Sequence, residues 1–391
     1  MTDAIALDAP QEDRLELYGA VAIMGIAAAL QFSIAIAQVL LAVAVVCWTA
    51  VLIVRQERFE APAFFWPLVA YAGMTIVSAA FSADPRSSLI DCKQLVLFSL
   101  VPLTCRFATG SRRMTLMTVV LTSAAISAAF GVFQYAILHY DYLGMRPRGT
   151  LGHWMTFSGL LMLATAVAVA RVLFGRGERT WAGLVLPALA VGVAVTFTRS
   201  AEVGVFAAAA VLFSLKDFRL FAVVPVVAAV FIAVAPGQIT QRFVSMFDKR
   251  DVTRVDRVAM IREGGRMIAA HPLVGVGPAM VQRRYAEYRG DDAVNATNPH
   301  LHDNPVQIAA ERGLPAVALW LWFLAVLTRD LWKRFRSDAE RFLPAAALAV
   351  ITAMLTAGLF EYNFGDSEFL MLFLIIVSLP FAADHSPDVH S

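Results

Sequence analysis

Apolar residues fall in blocks of about 16 to 22 along nearly the whole chain, from Tyr18 to Ala383, separated by short polar connections. Each block is long enough to cross a hydrocarbon core of about 30 Å as a helix. The pattern predicts spans at roughly 17–33, 35–54, 62–82, 89–105, 114–138, 154–174, 181–198, 201–215, 219–236, 314–332, 343–361 and 368–383, about twelve helices in an all-α polytopic membrane protein. One region departs from it. Between Gly237 and Gly313, RVDRVAMIREGGRMIAAHP (254–272) carries apolar residues at helical spacing, GVGP (275–278) reads as a turn, and MVQRRYAEYRG (280–290) as a second short amphipathic helix. The expected division is 1–236 for the first nine spans, 237–313 for one long loop domain, and 314–391 for three further spans and a tail.

Composition agrees with a chain dissolved in lipid. It is 59% hydrophobic and 16% charged, with mean hydropathy +0.67, which excludes an ordinary soluble domain. The net charge of +2 matters less than where the charges lie. Fifteen Lys and Arg residues sit on five alternate connections and only five on the short connections between them. The positive-inside rule therefore puts the first set, and both termini, in the cytoplasm. The 237–313 segment is then outside; its eleven basic residues do not oppose this, because loops above about 60 residues translocate largely regardless of charge. The acidic start, MTDAIALDAPQEDRLE, lacks a basic n-region, so the first helix is expected to be retained rather than cleaved. Cys47, Cys92 and Cys105 lie in or beside apolar runs and give no disulfide framework.

Several polar residues gather at the expected external ends. Arg199, in VTFTRSAEVGVF, lies between two apolar runs with almost no loop, at the outer membrane boundary. It is either a snorkelling arginine paired with Glu202 or an anion site, since a permanently charged planar fork matches phosphate oxygens. Arg254, Arg257, Arg262 and Arg266 fan around one amphipathic stretch; each reads as a solvated or headgroup-facing cation or as a contact to an anionic substrate. His300, His302, Asp303 and Asn304 precede a helix that re-enters the bilayer. A histidine of ordinary pKa near 6.5 can take a proton from a sugar hydroxyl, and a neighbouring carboxylate can orient it. The same run also reads as a helix entry, with Asn304 as cap and Pro305 in the first turn. A zinc site built from His300, His302 and Asp303 lacks a further ligand cluster of familiar spacing. Two more runs, RPRGTLGHWMTFSG (146–159) and GLFEYNFGDSEFLM (358–371), bring Arg146, Arg148, His153, Glu361, Asp366 and Glu368 to the same side.

Together HPLVGVGP, HLHDNPVQIAAERGLPA, RGTLGHWMTFSG, TFTRSAEVG and FEYNFGDSE resemble the O-antigen ligase and polymerase superfamily over about Asp84 to Phe381. That resemblance implies a glycosyltransferase of GT-C-like architecture in the bacterial inner membrane. It would take glycan from undecaprenyl diphosphate at the periplasmic face, with inversion and without metal or other cofactor. It implies His302, Arg199 and Arg257 as catalytic residues, with Arg148, Arg262, His300, Asp303, Asn304 and Glu361 around the substrate. In the family the histidine is often followed by Asn, whereas here Asp303 follows His302 and Asn304 comes next. Polymerases of the superfamily commonly carry two sizeable external loops, and this chain has one. The resemblance therefore favours a ligase, with the lipid A core as acceptor; a polymerase, a protein O-glycosyltransferase and, in a different class, a secondary transporter are the alternatives. Membrane lipids are the remaining expected partner, and nucleic acid is not one.

Overall fold

The computed structural model describes residues 11–177, 179–234, 237, 252–291 and 293–384. Among them every regular element is helical. In chain order these are α1 (Gln11–Ala29), α2 (Ile34–Val54), α3 (Phe65–Ala80), α4 (Pro85–Asp91), α5 (Leu100–Phe107), α6 (Arg112–Ala136), α7 (Trp154–Phe174), α8 (Arg179–Val195), α9 (Arg199–Lys216), α10 (Val223–Val234), α11 (Val252–Ala270), α12 (Val281–Tyr288), α13 (Asn304–Ser337), α14 (Phe342–Ala357) and α15 (Ser367–Ser378). Five helical segments, Ile34–Val54, Pro85–Phe107, Arg112–Ala136, Trp154–Phe174 and Asn304–Ser337, are long and apolar enough to cross a membrane. With the shorter apolar helices between them, this is a polytopic membrane protein.

Burial sorts the helices into centre and periphery. On α2 only Ala37, Leu41, Ala44, Cys47 and Val51 are buried, a stripe at helical spacing that faces α1, while the other faces stay apolar and exposed. That is the signature of a helix turned towards lipid. By contrast α15 is buried from Phe369 through Ser378, and α7 over most of its length, so these two lie at the centre with α14 and α9 beside them.

Helices overlie all the expected apolar runs, with differences in detail. The run at 89–105 is not one α-helix: α4 and α5 are joined by a 3-10 segment, Cys92–Ser99. The run expected from 314 belongs to α13, which begins ten residues earlier and is broken at Gly313 (φ 82°, ψ 170°). Two glycines at positive φ, Gly275 and Gly313, permit a close backbone approach there. A Cβ on Gly275 would lie 2.2 Å from the Glu311 carbonyl carbon, and one on Gly313 would lie 2.2 Å from the Leu273 carbonyl oxygen. The break frees carbonyls, and the irregular HPLVGVGP segment takes them: Val276 N–H donates to Ala310 O (2.8 Å) and Gly277 N–H to Glu311 O (2.9 Å), while Leu314 N–H returns to Pro272 O (2.8 Å). The single Ser78 hydroxyl on α3 lies within donating distance of both the Val274 and Glu311 carbonyls, 2.6 and 2.8 Å, and shares its proton between them. Thus α11 and α12 are fastened to the bundle, over their own small core of Met260, Met267, Val276, Met280, Val281, Tyr285, Leu301 and Ala310. Of the expected loop domain, residues 238–251 and the Arg254 side chain lie outside the described residues.

Candidate functional site

The entry to α13 sets the site. Asp303, not Asn304, is the helix cap: its Oδ1 accepts the Val306 N–H at 2.8 Å, and Pro305 occupies the first turn. Asp303 is buried, which pushes its carboxyl up against that hydrogen bond. Asn304 is spent on structure. Its backbone N–H donates to Gly358 O, its side-chain Nδ2 to Asn363 Oδ1 (2.7 Å), and its Oδ1 accepts the Phe364 N–H (3.2 Å). These bonds pin the 358–366 connection, and with it Glu361, against the start of α13.

The residue before the cap, His302, has a left-handed backbone (φ 51°). Non-glycine residues held there are uncommon and gather at functional sites. That turn brings His302 Nδ1 to 2.8 Å from Glu361 Oε2, while His300 Nε2 lies 2.9 Å from Glu361 Oε1. One carboxylate thus holds two imidazoles whose ring centroids are 4.2 Å apart. Burial pushes the Glu361 carboxyl up, but the hydrogen bonds and charge of the two histidines outweigh it and hold it well below the usual carboxylate range. An ionised carboxylate only accepts, so His302 Nδ1 carries a proton and, in the neutral ring, Nε2 keeps its lone pair. Sequence reasoning looked to Asp303 as the orienting acid; Glu361, 59 residues further on, has that place.

Two cavities flank this bridge. The first, about 650 Å³, is lined by Arg199, Ser200, Arg257 and His302, with Val203, Val258, Ile261, Leu301, Leu359 and Phe360 supplying apolar walls. Arg199 and Ser200 open α9 and are both buried. The Arg257 guanidinium lies 5.8 Å from the centre of the Phe360 ring, in cation–π range. A helix N-terminus and two guanidinium groups make this cavity favourable for an anion. The second, about 380 Å³, is lined by His153, Thr156, Ser200, His300, Glu361, Tyr362 and Asp366 among others, and is the more polar-walled. Thr156 donates a short hydrogen bond to Asp366, whose other oxygen caps α15 through the Phe369 N–H. Burial nonetheless pushes the Asp366 carboxyl up.

The structure therefore brings Arg199, Arg257 and His302 to one cavity and places His300 and Glu361 at its border with the other. It does not bring Arg148 or Arg262 there: both are exposed and line neither cavity, and Arg148 reaches inwards only through its backbone N–H to Gln134. The Thr156–Asp366 pair was not read from sequence as a unit, since its members are 210 residues apart.

Residues 182–321 match the family model described as O-antigen ligase. The match runs from α8 into α13 and takes in Arg199, Arg257, His300, His302 and Asp303, while Glu361 and Asp366 lie beyond it. No curated protein matches the chain. The family match supports the O-antigen ligase superfamily and, at that coarse level, membrane glycosyl transfer between a lipid-linked glycan and a lipid acceptor.

Proposed function

We propose that this O-antigen ligase-type membrane protein transfers O-antigen glycan from undecaprenyl diphosphate to a sugar hydroxyl of the lipid A core, at the periplasmic face of the bacterial inner membrane. The observation that carries the reading is the convergence of Arg199, Arg257 and His302 on one apolar-walled cavity, with His302 Nδ1 held by Glu361. This proposal keeps about twelve spans, cytoplasmic termini, and a periplasmic 237–313 domain. Apolar walls suit the polyprenyl end of the donor, and the two guanidinium groups suit its diphosphate. The polar cavity, with carboxylates and no arginine in its lining, suits sugar hydroxyls.

In the reaction the acceptor oxygen attacks the anomeric carbon as the bond from that carbon to the phosphate oxygen breaks, which inverts the centre. The hydroxyl proton passes to His302 Nε2, and the bonding electron pair leaves with the diphosphate. A well-placed base contributes on the order of 10²–10⁴-fold. Arg199 and Arg257 act mainly where negative charge grows, in the transition state, and so raise the rate rather than merely the occupancy.

The test is a purified reconstitution with carrier-linked glycan and core acceptor. His302→Ala should abolish transfer while retaining expression and membrane insertion. Near wild-type transfer by this variant would remove His302 from the base role. In a deletion strain, bare core with accumulated carrier-linked polymer supports a ligase, and core bearing a single repeat unit would show a polymerase instead.

A further inference from the structure

We infer that His300, His302 and Glu361 form a binding site for a divalent transition-metal ion, Zn²⁺ in the first instance, and that filling it silences transfer by converting His302 from proton acceptor to proton donor. The silencing rests on the proposed base role of His302; the metal site does not.

The three residues each offer one ligand atom, and these atoms all lie within 4.8 Å of one another. Tetrahedral zinc with bonds of about 2.0–2.1 Å needs ligand atoms about 3.3 Å apart. The existing separations, 2.9 Å for His300 Nε2 to Glu361 Oε1 and 2.8 Å for His302 Nδ1 to Glu361 Oε2, run to different carboxylate oxygens and lie about half an ångström short of that spacing, so the side chains must shift for one oxygen to join both imidazoles on an ion. Two imidazoles and one carboxylate are a borderline nitrogen and oxygen set that favours zinc over magnesium or calcium. The side chains keep 28%, 18% and 14% of their surface exposed, and two of them line the polar cavity, so a hydrated ion has a path to them. Three protein ligands would leave a fourth position for water.

The consequence follows from the ring of His302. Its Nδ1 now donates to Glu361, which leaves Nε2 as the lone-pair atom. A metal must bind a lone pair, so coordination at Nδ1 moves the ring proton to Nε2. The atom that would accept the sugar proton then carries one of its own. Zinc here is an inhibitor, not a cofactor, and the reaction scheme without it is unchanged.

Isothermal titration of ZnCl₂ into the full-length protein in detergent should show one saturable site. His300→Ala and Glu361→Gln should each weaken it by about tenfold or more, and His271→Ala, at a histidine outside the set, should not. X-ray absorption of the zinc-loaded wild-type protein should show nitrogen and oxygen ligands only. Absence of saturable binding, unchanged affinity in both variants, or a sulfur ligand from Cys47, Cys92 or Cys105 would overturn the site. Transfer should fall in step with zinc occupancy and return with EDTA. Full transfer with the site filled would overturn the silencing and the base assignment of His302 while leaving the metal site standing.

Discussion

Replacing Glu361 with Gln tests the bridge between the two histidines. The substitution keeps size but exchanges one accepting oxygen for an amide that donates. One imidazole must then face an N–H, and if it is His302, its Nδ1 turns acceptor and its Nε2 turns donor. A hydrogen bond to a charged partner is worth about 1.5–3 kcal/mol, and each 1.36 kcal/mol is about tenfold in rate. Transfer by Glu361→Gln should therefore fall about tenfold to a hundredfold, less than for His302→Ala, with donor affinity little changed because Arg199 and Arg257 are untouched. The pH dependence supplies a second reading. Because the Glu361 carboxyl is held below its ordinary range, its contribution to stability is present above that range and lost only as pH falls through the depressed value. The difference in melting temperature between wild type and variant should therefore shrink as pH falls below the ordinary carboxylate range of about 4 and vanish in strong acid. Steady-state transfer, with donor binding measured separately, is the assay. Transfer retained within about threefold of wild type by both Glu361→Gln and Glu361→Ala, about 0.65 kcal/mol and below the roughly 1.5 kcal/mol at the low end for a charged hydrogen bond, would refute the idea that Glu361 sets the tautomer of His302.

Arg199→Lys should lower transfer nearly as far as His302→Ala, because an ammonium cannot reproduce the fork on diphosphate oxygens; donor titration and single-turnover rates will separate binding from chemistry. Gly313→Ala should destabilise the protein by more than about 1 kcal/mol, since its Cβ would meet the Leu273 carbonyl; melting in detergent checks this, and an unchanged melting temperature would count against the close approach. Reporters fused after Arg112 or Arg334 should read cytoplasmic and one near Ala293 periplasmic, and the opposite pattern would remove the proposed site from the donor's side.

The helices were legible because lipid leaves the backbone no alternative partner, so apolar runs and helices coincide. The stretches over 254–270 and 279–289 are legible instead from the helical spacing of their apolar residues, and they match α11 and α12 closely. The site was readable only where its chemistry is local: His302 beside Asp303 and Asn304, or Arg199 between two runs. Local reading then erred over which neighbour does what. Asp303, the carboxylate next to His302 in sequence, is the helix cap rather than the orienting acid, whereas Asn304, the expected cap, ties down the 358–366 connection. The true partner of His302 comes from the connection between α14 and α15, and only packing brings it within 2.8 Å. Arg148 and Arg262 looked equivalent to Arg199 by charge and side, but exposure separates them.

The three backbone hydrogen bonds that join the 272–277 segment to the break in α13 bear on how freely the cover over the proposed site can move. Lifting α11 and α12 off the bundle as a cover would have to break them together, and with them the shared Ser78 hydrogen bond. At about 1 kcal/mol each, with buried carbonyls left behind, such opening costs several kcal/mol and keeps the closed form dominant. The 272–277 segment and α13 are therefore coupled in any such motion. Under the proposed function, a substrate entering the cavity that Arg257, Ile261 and Phe360 help to line meets a cover that is closed most of the time.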